Sequence, residues 1–154
     1  MTPNKQRVIY DAFPDLFRQG IDKTGLMQYG LCVGDGWSKL IWDLSEAITG
    51  ECQRLGIEPG KPGFPQAVQV KEKFGELRFY LEVIEIPEPK FSEEEIEDIR
   101  RGSGPGNEKW DRYDQMRLAP RQKLDSIYAL TREANKLSST ICENCGAQIG
   151  RAHV

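Results

Sequence analysis

Histidine is almost absent from the sequence: among 154 residues, only His153 is one. A Ser-His-Asp triad, a histidine acid–base pair and a histidine-rich metal site are therefore excluded from the body of the chain. No apolar run reaches the roughly 18 residues that a membrane-spanning helix needs. The first residues also lack the apolar segment of a secretory signal. We therefore expect a cytoplasmic protein with no membrane partner.

Cysteine and net charge are also low. The four cysteines come without a secretory signal, which favours a reducing compartment where thiols stay reduced or bind a metal. Lys and Arg together number 21 against 24 Asp and Glu, for a net charge of −3. Because the chain as a whole is acidic, any nucleotide or nucleic-acid site has to be a local basic patch.

The last six residues, 149–154, match the translation of a known synthetic DNA string. The DNA string ATC GGA AGA GCA CAC GTC encodes them in order, and this string matches the start of a common short-read sequencing adapter. We therefore expect a non-native tail at 149–154 and a native gene that continues beyond Gln148; the alternative is a natural polar tail. On the first interpretation His153 is not a natural residue. Residues 1–148 have the length and composition of a single domain.

The spacing of apolar residues predicts an α+β fold. Two main helices are expected, over residues 37–55 and 120–138. A central antiparallel hairpin over residues 66–86, extended by a strand at 26–33, packs its apolar face on these helices. A capping box that begins at Ser92 predicts a further, acidic helix.

The hairpin should turn at Gly75-Glu76, because glycine at the first central position is typical of a type II′ turn. This register pairs four polar residues across the strands: Lys73 with Arg78, and Lys71 with Tyr80. Alternation along the strands then defines an apolar face, which carries Val68, Val70, Phe74, Leu77, Phe79, Leu81 and Val83. Glu72 also falls on that face, so the register or the burial is imperfect there.

The opposite, polar face of the hairpin is the first candidate binding site, with five candidate residues: Gln69, Lys71, Lys73, Arg78 and Tyr80. Arginine offers a bidentate fork for phosphate or carboxylate, and lysine offers point charges. The Tyr80 ring can stack on a base. The alternative is a solvated sheet face on which Glu76 and Glu82 neutralise the cations.

The second candidate site is the CxxCG motif at residues 142–146. Cys142 and Cys145 can supply two thiolates, which is half of a tetrahedral zinc site. The other two ligands are either Cys32 and Cys52 or residues beyond Gln148. We favour the latter, because Cys52 lies on a long helix without a paired spacing. A redox dithiol or two ordinary cysteines are the alternatives.

Three other segments have simpler interpretations. Gly34-Asp35-Gly36-Trp37 can accept an anion at a helix start, but a helix cap with Trp37 in the core is favoured. The acidic stretch 93–98 is typical of a solvated helix face. Trp110, Tyr113 and Met116 share one side of a helix and suit core or partner contacts.

Three motifs together resemble a group of small proteins encoded by tailed phages and prophages: GDGW, VKEKFGELRFY and CENCG. The resemblance covers residues 26–52, 66–83 and 124–146. In those relatives the chain continues to a second cysteine-containing pair that completes a zinc knuckle, and that pair is absent here. The resemblance implies a phage origin and an accessory role in the cytoplasm of the bacterial host, without a settled activity.

Four functions stay open. The favoured one is a non-enzymatic anti-defence protein that sequesters a phosphate-bearing nucleotide immune signal on the hairpin's polar face, including across an interface between copies. The second is a protein–protein inhibitor or adaptor of a host defence protein. A zinc-knuckle nucleic-acid binder is disfavoured by the net charge, and a nucleotide hydrolase by the lack of a clear nucleophile–base pair.

Overall fold

The computed structural model describes residues 1–88, 90–102 and 108–149. This part of the chain contains six α-helices and one small sheet. The helices are α1 (Pro3–Ala12), α2 (Arg18–Ile21), α3 (Ser38–Arg54), α4 (Glu93–Arg101), α5 (Glu108–Gln122) and α6 (Asp125–Ser138). The strands are β1 (Leu31–Cys32), β2 (Pro65–Lys73) and β3 (Glu76–Val83). The predicted α+β fold is confirmed.

The two main helices form where the apolar spacing predicts them, with one boundary moved. The helix expected over residues 37–55 is α3. The helix expected over residues 120–138 begins only at Asp125, because Pro120 belongs to the preceding helix, α5, and a turn separates the two. The acidic helix α4 starts with the predicted capping box, in which the Ser92 hydroxyl accepts a hydrogen bond from the Glu95 amide.

The sheet has the order β1-β2-β3, with β1 parallel and β3 antiparallel to β2. The prediction of a strand over residues 26–33 is wrong for most of its length. Residues Gly25–Tyr29 form a 3-10 helix, and only two residues of β1 pair with β2. Gly25 and Gly30, with φ of 53° and 75°, bound this helix and interrupt any extended run.

The hairpin turns one residue earlier than predicted. Phe74 and Gly75 have φ of 57° and 78°, and two consecutive positive values are typical of a type I′ turn. The predicted type II′ turn is therefore wrong. The Glu72 carboxylate accepts a hydrogen bond from the Gly75 amide at 2.6 Å, which stabilises the observed turn. The observed pairs are Lys73 with Glu76, Glu72 with Leu77, Lys71 with Arg78 and Gln69 with Tyr80.

The change of turn moves two side chains from their predicted places. Phe74 leaves the apolar face and is 88% exposed at the tip of the hairpin. Glu72, whose burial was open, is only half-buried and uses its carboxylate on the turn. Most of the apolar face enters the core, where Val70 and Leu77 are fully buried. Val68 does not, because the register shifts between Ala67 and Gln69, and Ala67 is buried in its place.

One hydrophobic core joins α1, α3 and α6 to the sheet. α6 packs against both α3 and β3. The chain between α1 and α2 reaches β2 as well, since the Ala67 amide donates to the Leu16 carbonyl at 2.8 Å. The largest fully buried side chains come from α3, α6, the sheet and the segments between elements: Leu16, Phe17, Trp37, Ile41, Ile48, Phe64, Val70, Leu77 and Ile127.

The GDGW and CENCG motifs form one close backbone contact. The Gly36 amide donates to the Glu143 carbonyl at 2.7 Å, and the Gly34 amide donates to the Glu143 carboxylate at 2.7 Å. The buried Trp37 indole donates to the Ile141 carbonyl at 2.9 Å. A Cβ on Gly36 would overlap the Cys142 carbonyl oxygen and the backbone around it. The close approach of the two backbone segments therefore requires glycine at position 36.

The GDGW segment is predicted to cap the following helix, but Asp35 does not cap α3. The residue at the N-cap of that helix is Trp37. Instead, the Asp35 carboxylate accepts hydrogen bonds from the Thr2 amide and hydroxyl at 2.6 and 3.0 Å. The hydrogen bond from the Thr2 amide is the main reason why the pKa of Asp35 lies below its usual range. Asp35 therefore holds the start of α1 against the GDGW segment, while Trp37 fills the core as predicted.

We predict that Gly36→Ala lowers the free energy of unfolding by about 1–3 kcal/mol, the usual cost of an overpacked site. The added Cβ has to displace the turn at residues 142–146. Gly50→Ala is the control, because nothing lies within 4 Å of a Cβ there, and it should stabilise α3 by about 0.5–1 kcal/mol. Urea unfolding measures both. Equal effects of the two substitutions would contradict the contact.

We also predict that Phe74→Asn raises the free energy of unfolding by up to about 1 kcal/mol. Asparagine tolerates positive φ better than phenylalanine does, and Asn-Gly is favoured in type I′ turns. The exposed Phe74 ring contributes little burial that could be lost. Phe74→Val should act in the opposite direction, because a β-branched residue opposes positive φ. A loss of stability with asparagine would contradict the observed turn.

Candidate functional site

The outer edge of β3, the edge that faces away from β2, is tied to α6 at one residue. The Leu77 amide donates to the Ser138 hydroxyl at 2.8 Å, and the Asn135 side-chain amide donates to the Leu77 carbonyl at 2.8 Å. Ser138 is fully buried at this contact. The helix therefore takes the place that a fourth strand would have at Leu77.

Beyond Leu77 the same edge of β3 is open. Backbone polar groups in an antiparallel strand point alternately to the two sides, so those of Phe79 and Leu81 point outward, as those of Leu77 do. Within the described residues, no hydrogen bond reaches the amide or carbonyl of either residue. The space between this part of β3 and α6 is a groove of about 540 Å³.

Basic and aromatic side chains line this β3–α6 groove. None of the described residues that line it carries a carboxylate. A negatively charged ligand therefore meets no carboxylate in the lining itself, although Glu76 lies beside the lining residue Arg78. The polar and aromatic lining residues are Arg78, Phe79 and Tyr80 from β3, and Tyr128, Thr131, Arg132, Asn135 and Lys136 from α6.

Two of the five predicted binding residues, Arg78 and Tyr80, line the groove. Lys71 lies next to them, with its Nζ 5.7 Å from the centroid of the Tyr80 ring. Gln69 pairs with Tyr80 across the hairpin. Lys73 is further away, at the hairpin tip, where its Nζ lies 5.3 Å from the centroid of the Phe74 ring. The predicted cluster is thus divided between the groove and the tip.

The cations of the groove are not equivalent. The Arg78 guanidinium lies 3.0 Å from the Glu76 carboxylate, and both side chains are partly exposed. Glu76 also accepts a long hydrogen bond, 3.4 Å, from Asn135. Arg132 and Lys136 are exposed and make no ion pair with another described residue. The attraction for an anion is therefore strongest on the α6 side.

Arg132 and Lys136 are functional candidates that the sequence analysis missed. They follow Tyr128 at intervals of four residues, so the three side chains form one stripe along α6. This stripe is visible in the sequence. What the sequence does not indicate is that the stripe faces the open edge of β3, because that depends on how α6 packs.

The CxxCG motif adopts a tight turn, with the Gly146 amide donating to the Cys142 carbonyl at 2.8 Å. Cys142 is half-buried and Cys145 is exposed. In residues 1–88, 90–102 and 108–149, no cluster of three or more His, Cys, Asp or Glu side chains is suited to a metal ion. The residues present are half of the donor set of a structural zinc site. Zinc binding by the intact protein, with none in the present chain, stays a prediction.

The other two cysteines are placed elsewhere in the fold. Cys52 lies on α3 in the core, and its burial raises the pKa of the thiol to about 11. Cys32 is exposed on β1, and its thiol lies 3.7 Å from the Tyr29 carbonyl. Neither joins the CxxCG turn in a cluster of three potential ligands, so the predicted alternative in which they complete the zinc site gains no support.

Several predicted features lie outside the described residues. The side chains of Trp110, Tyr113 and Met116 belong to this group, and so do residues 150–154 of the predicted tail. The acidic side chains at 93–98 are described, and they are exposed on α4 as predicted. None of the described helices is long and apolar enough to cross a membrane.

Comparisons with known proteins leave the groove as the main guide to function. No protein-family model, no curated protein and no solved structure matches this chain. The chemistry of the residues in the groove therefore has to carry any functional proposal.

Proposed function

We propose that this protein binds and sequesters a phosphate-bearing nucleotide in the β3–α6 groove, without converting it. The observation that carries the proposal is the lining of the groove: cations from two elements converge there, and no described lining residue carries a carboxylate. Its volume of about 540 Å³ is within the usual range for small-molecule sites.

The lining residues divide into two roles. Arg132 and Lys136 hold the phosphate groups, because arginine matches phosphate with a bidentate fork and lysine adds a point charge. Arg78 assists them once its pairing with Glu76 is shared with the ligand. Tyr80 and Tyr128 supply rings beside which a base can lie. These roles keep two of the predicted binding residues and add three from α6.

The remaining predicted residues act at the margin of the groove. Lys71 lies over the Tyr80 ring, so it adds positive charge at the mouth and holds the ring in place. Gln69 and Lys73 extend the polar face beyond the groove. They suit contacts with the outer parts of a larger ligand or with a second copy of the chain.

Two features support binding without conversion. The described lining residues include no histidine or carboxylate to act as a general base. The Thr131 hydroxyl, the one aliphatic hydroxyl among them, donates to the Tyr128 carbonyl at 2.8 Å. An activated nucleophile would need a base within hydrogen-bond reach.

The resemblance to phage accessory proteins gives this binding a biological context. A protein that holds a nucleotide signal intact in the bacterial cytoplasm lowers the concentration of that signal. We therefore propose an anti-defence role, in which the ligand is a nucleotide immune signal of the host.

A second candidate function is the inhibition of a host defence protein by direct contact. The observation that favours it is α4, which buries none of its residues. Its acidic side chains and Ile96, which is 39% exposed, are available to a partner. On this reading the protein forms a stable complex with a protein target and leaves nucleotides unbound.

The test is incubation of the purified protein with a panel of bacterial nucleotide signals. The protein is then separated by filtration and heat-denatured, and both fractions are analysed by mass spectrometry. We predict that one nucleotide is retained and released intact. Arg132→Glu should lower its retention by about tenfold or more, because a phosphate contact becomes a repulsion. Lys123→Glu, the same charge change at an exposed residue outside the groove, should have little effect.

Three results would contradict the proposal. Conversion of a nucleotide to a new mass would show an enzyme. Retention that is insensitive to Arg132→Glu would place the site elsewhere. The absence of any retained nucleotide would favour the protein-binding alternative, for which a host pull-down with a variant of α4 is the direct test.

A further inference from the structure

The open edge of β3 offers a hydrogen-bonding pattern that the side chains of the groove do not. Phe79 presents its carbonyl and Leu81 presents its amide on the same side of an extended strand, two residues apart. Both residues line the groove, and neither group has a partner among the described residues. An acceptor and a donor are thus held side by side on a rigid element.

The side chains of the groove offer few acceptors for a base. Arginine and lysine are donors only. The acceptors are the Asn135 carbonyl oxygen and the hydroxyls of Tyr80, Tyr128 and Thr131. None of these is paired with a fixed backbone donor, as an edge of a base requires. A base with an amino group needs an acceptor for it. The Phe79 carbonyl fills this need beside the Tyr80 and Tyr128 rings that line the same groove.

We propose that the backbone edge at Phe79 and Leu81 reads the nucleobase of the ligand, and that the ligand is an adenine nucleotide. The Phe79 carbonyl accepts a hydrogen bond from the exocyclic amino group. The Leu81 amide donates to the adjacent ring nitrogen. This inference rests on the proposed function and names the ligand class for the same site.

Adenine fits this edge for two reasons. Its Watson–Crick edge places an amino donor beside an unprotonated ring nitrogen, and proteins read unpaired bases through such edges. Cytosine has the same pattern, but the bicyclic adenine has more surface to lie against Tyr80 and Tyr128. With the base at β3, the phosphates lie towards Arg132 and Lys136 on the opposite wall.

The protein offers a substitution that removes the proposed donor alone. Leu81→Pro deletes the outward amide and keeps an apolar side chain, and proline is accepted on an edge strand where the amide faces away from the ladder. Val83→Pro is the matched control. By the same alternation its amide also points outward, two residues further along β3 and outside the groove.

The experiment is isothermal titration calorimetry of the full chain with ADP and with pyrophosphate. We expect the wild-type protein to bind ADP about tenfold or more tightly than pyrophosphate. Leu81→Pro should lower this preference severalfold and leave pyrophosphate binding unchanged. Val83→Pro should leave both affinities unchanged. N6,N6-dimethyl-ADP, which lacks the amino hydrogens, should bind the wild-type protein severalfold more weakly than ADP does, while the base still lies against the tyrosine rings.

The dimethylated nucleotide keeps the test decisive if Leu81→Pro fails to fold, because it changes only the ligand. Equal affinity for ADP and its dimethylated form would overturn base reading, and so would equal affinity for ADP and pyrophosphate. Those two results leave the proposed phosphate site intact. If neither ADP nor pyrophosphate binds, the ligand assignment and the proposed function fail together.

Discussion

The close approach of two backbone segments, Gly34–Gly36 and the turn at residues 142–146, is the constraint on which the rest of the structure depends. The turn directly follows α6, so its hydrogen bonds to Gly34, Gly36 and Trp37 fix where that helix ends. Near the same end, α6 is bonded to Leu77 of β3. A helix anchored there covers one part of the strand edge and leaves the next part open. The groove is therefore a consequence of how α6 is held.

This arrangement gives the CxxCG motif a structural part that its spacing did not predict. The spacing indicated metal chemistry at Cys142 and Cys145, and GDGW indicated a helix start. In the fold the two motifs are partners, because the glycines of one make room for the carbonyls of the other. A residue pattern reports which backbone conformations are allowed, but it does not report which distant segment will use the space.

The parts of the fold that were predictable are those set by local periodicity. The apolar spacing of α3 and the alternation of β3 each have one solution, and the structure confirms them. The alternation of β2 is interrupted by the register shift between Ala67 and Gln69, which no residue of the strand announces. The hairpin turn had two possible positions, because Gly75 is acceptable in either a type I′ or a type II′ turn. Phe74 was not expected to adopt positive φ, so the register was placed one residue away. At the site, Arg78 and Tyr80 followed from strand alternation. Arg132 and Lys136 depended on helix packing, and the open backbone edge has no signal in side-chain identity.

The central claim is that the β3–α6 groove is the binding site, and NMR mapping of backbone amides tests it most directly. We predict that titration of the ¹⁵N-labelled protein with ADP shifts the amide resonances of residues 79–81 and 132–136. The amides of the hairpin tip and of the turn at 142–146 should stay in place. Shifts confined to α4 or to the turn at 142–146, or the absence of any shift at saturating nucleotide, would contradict the account.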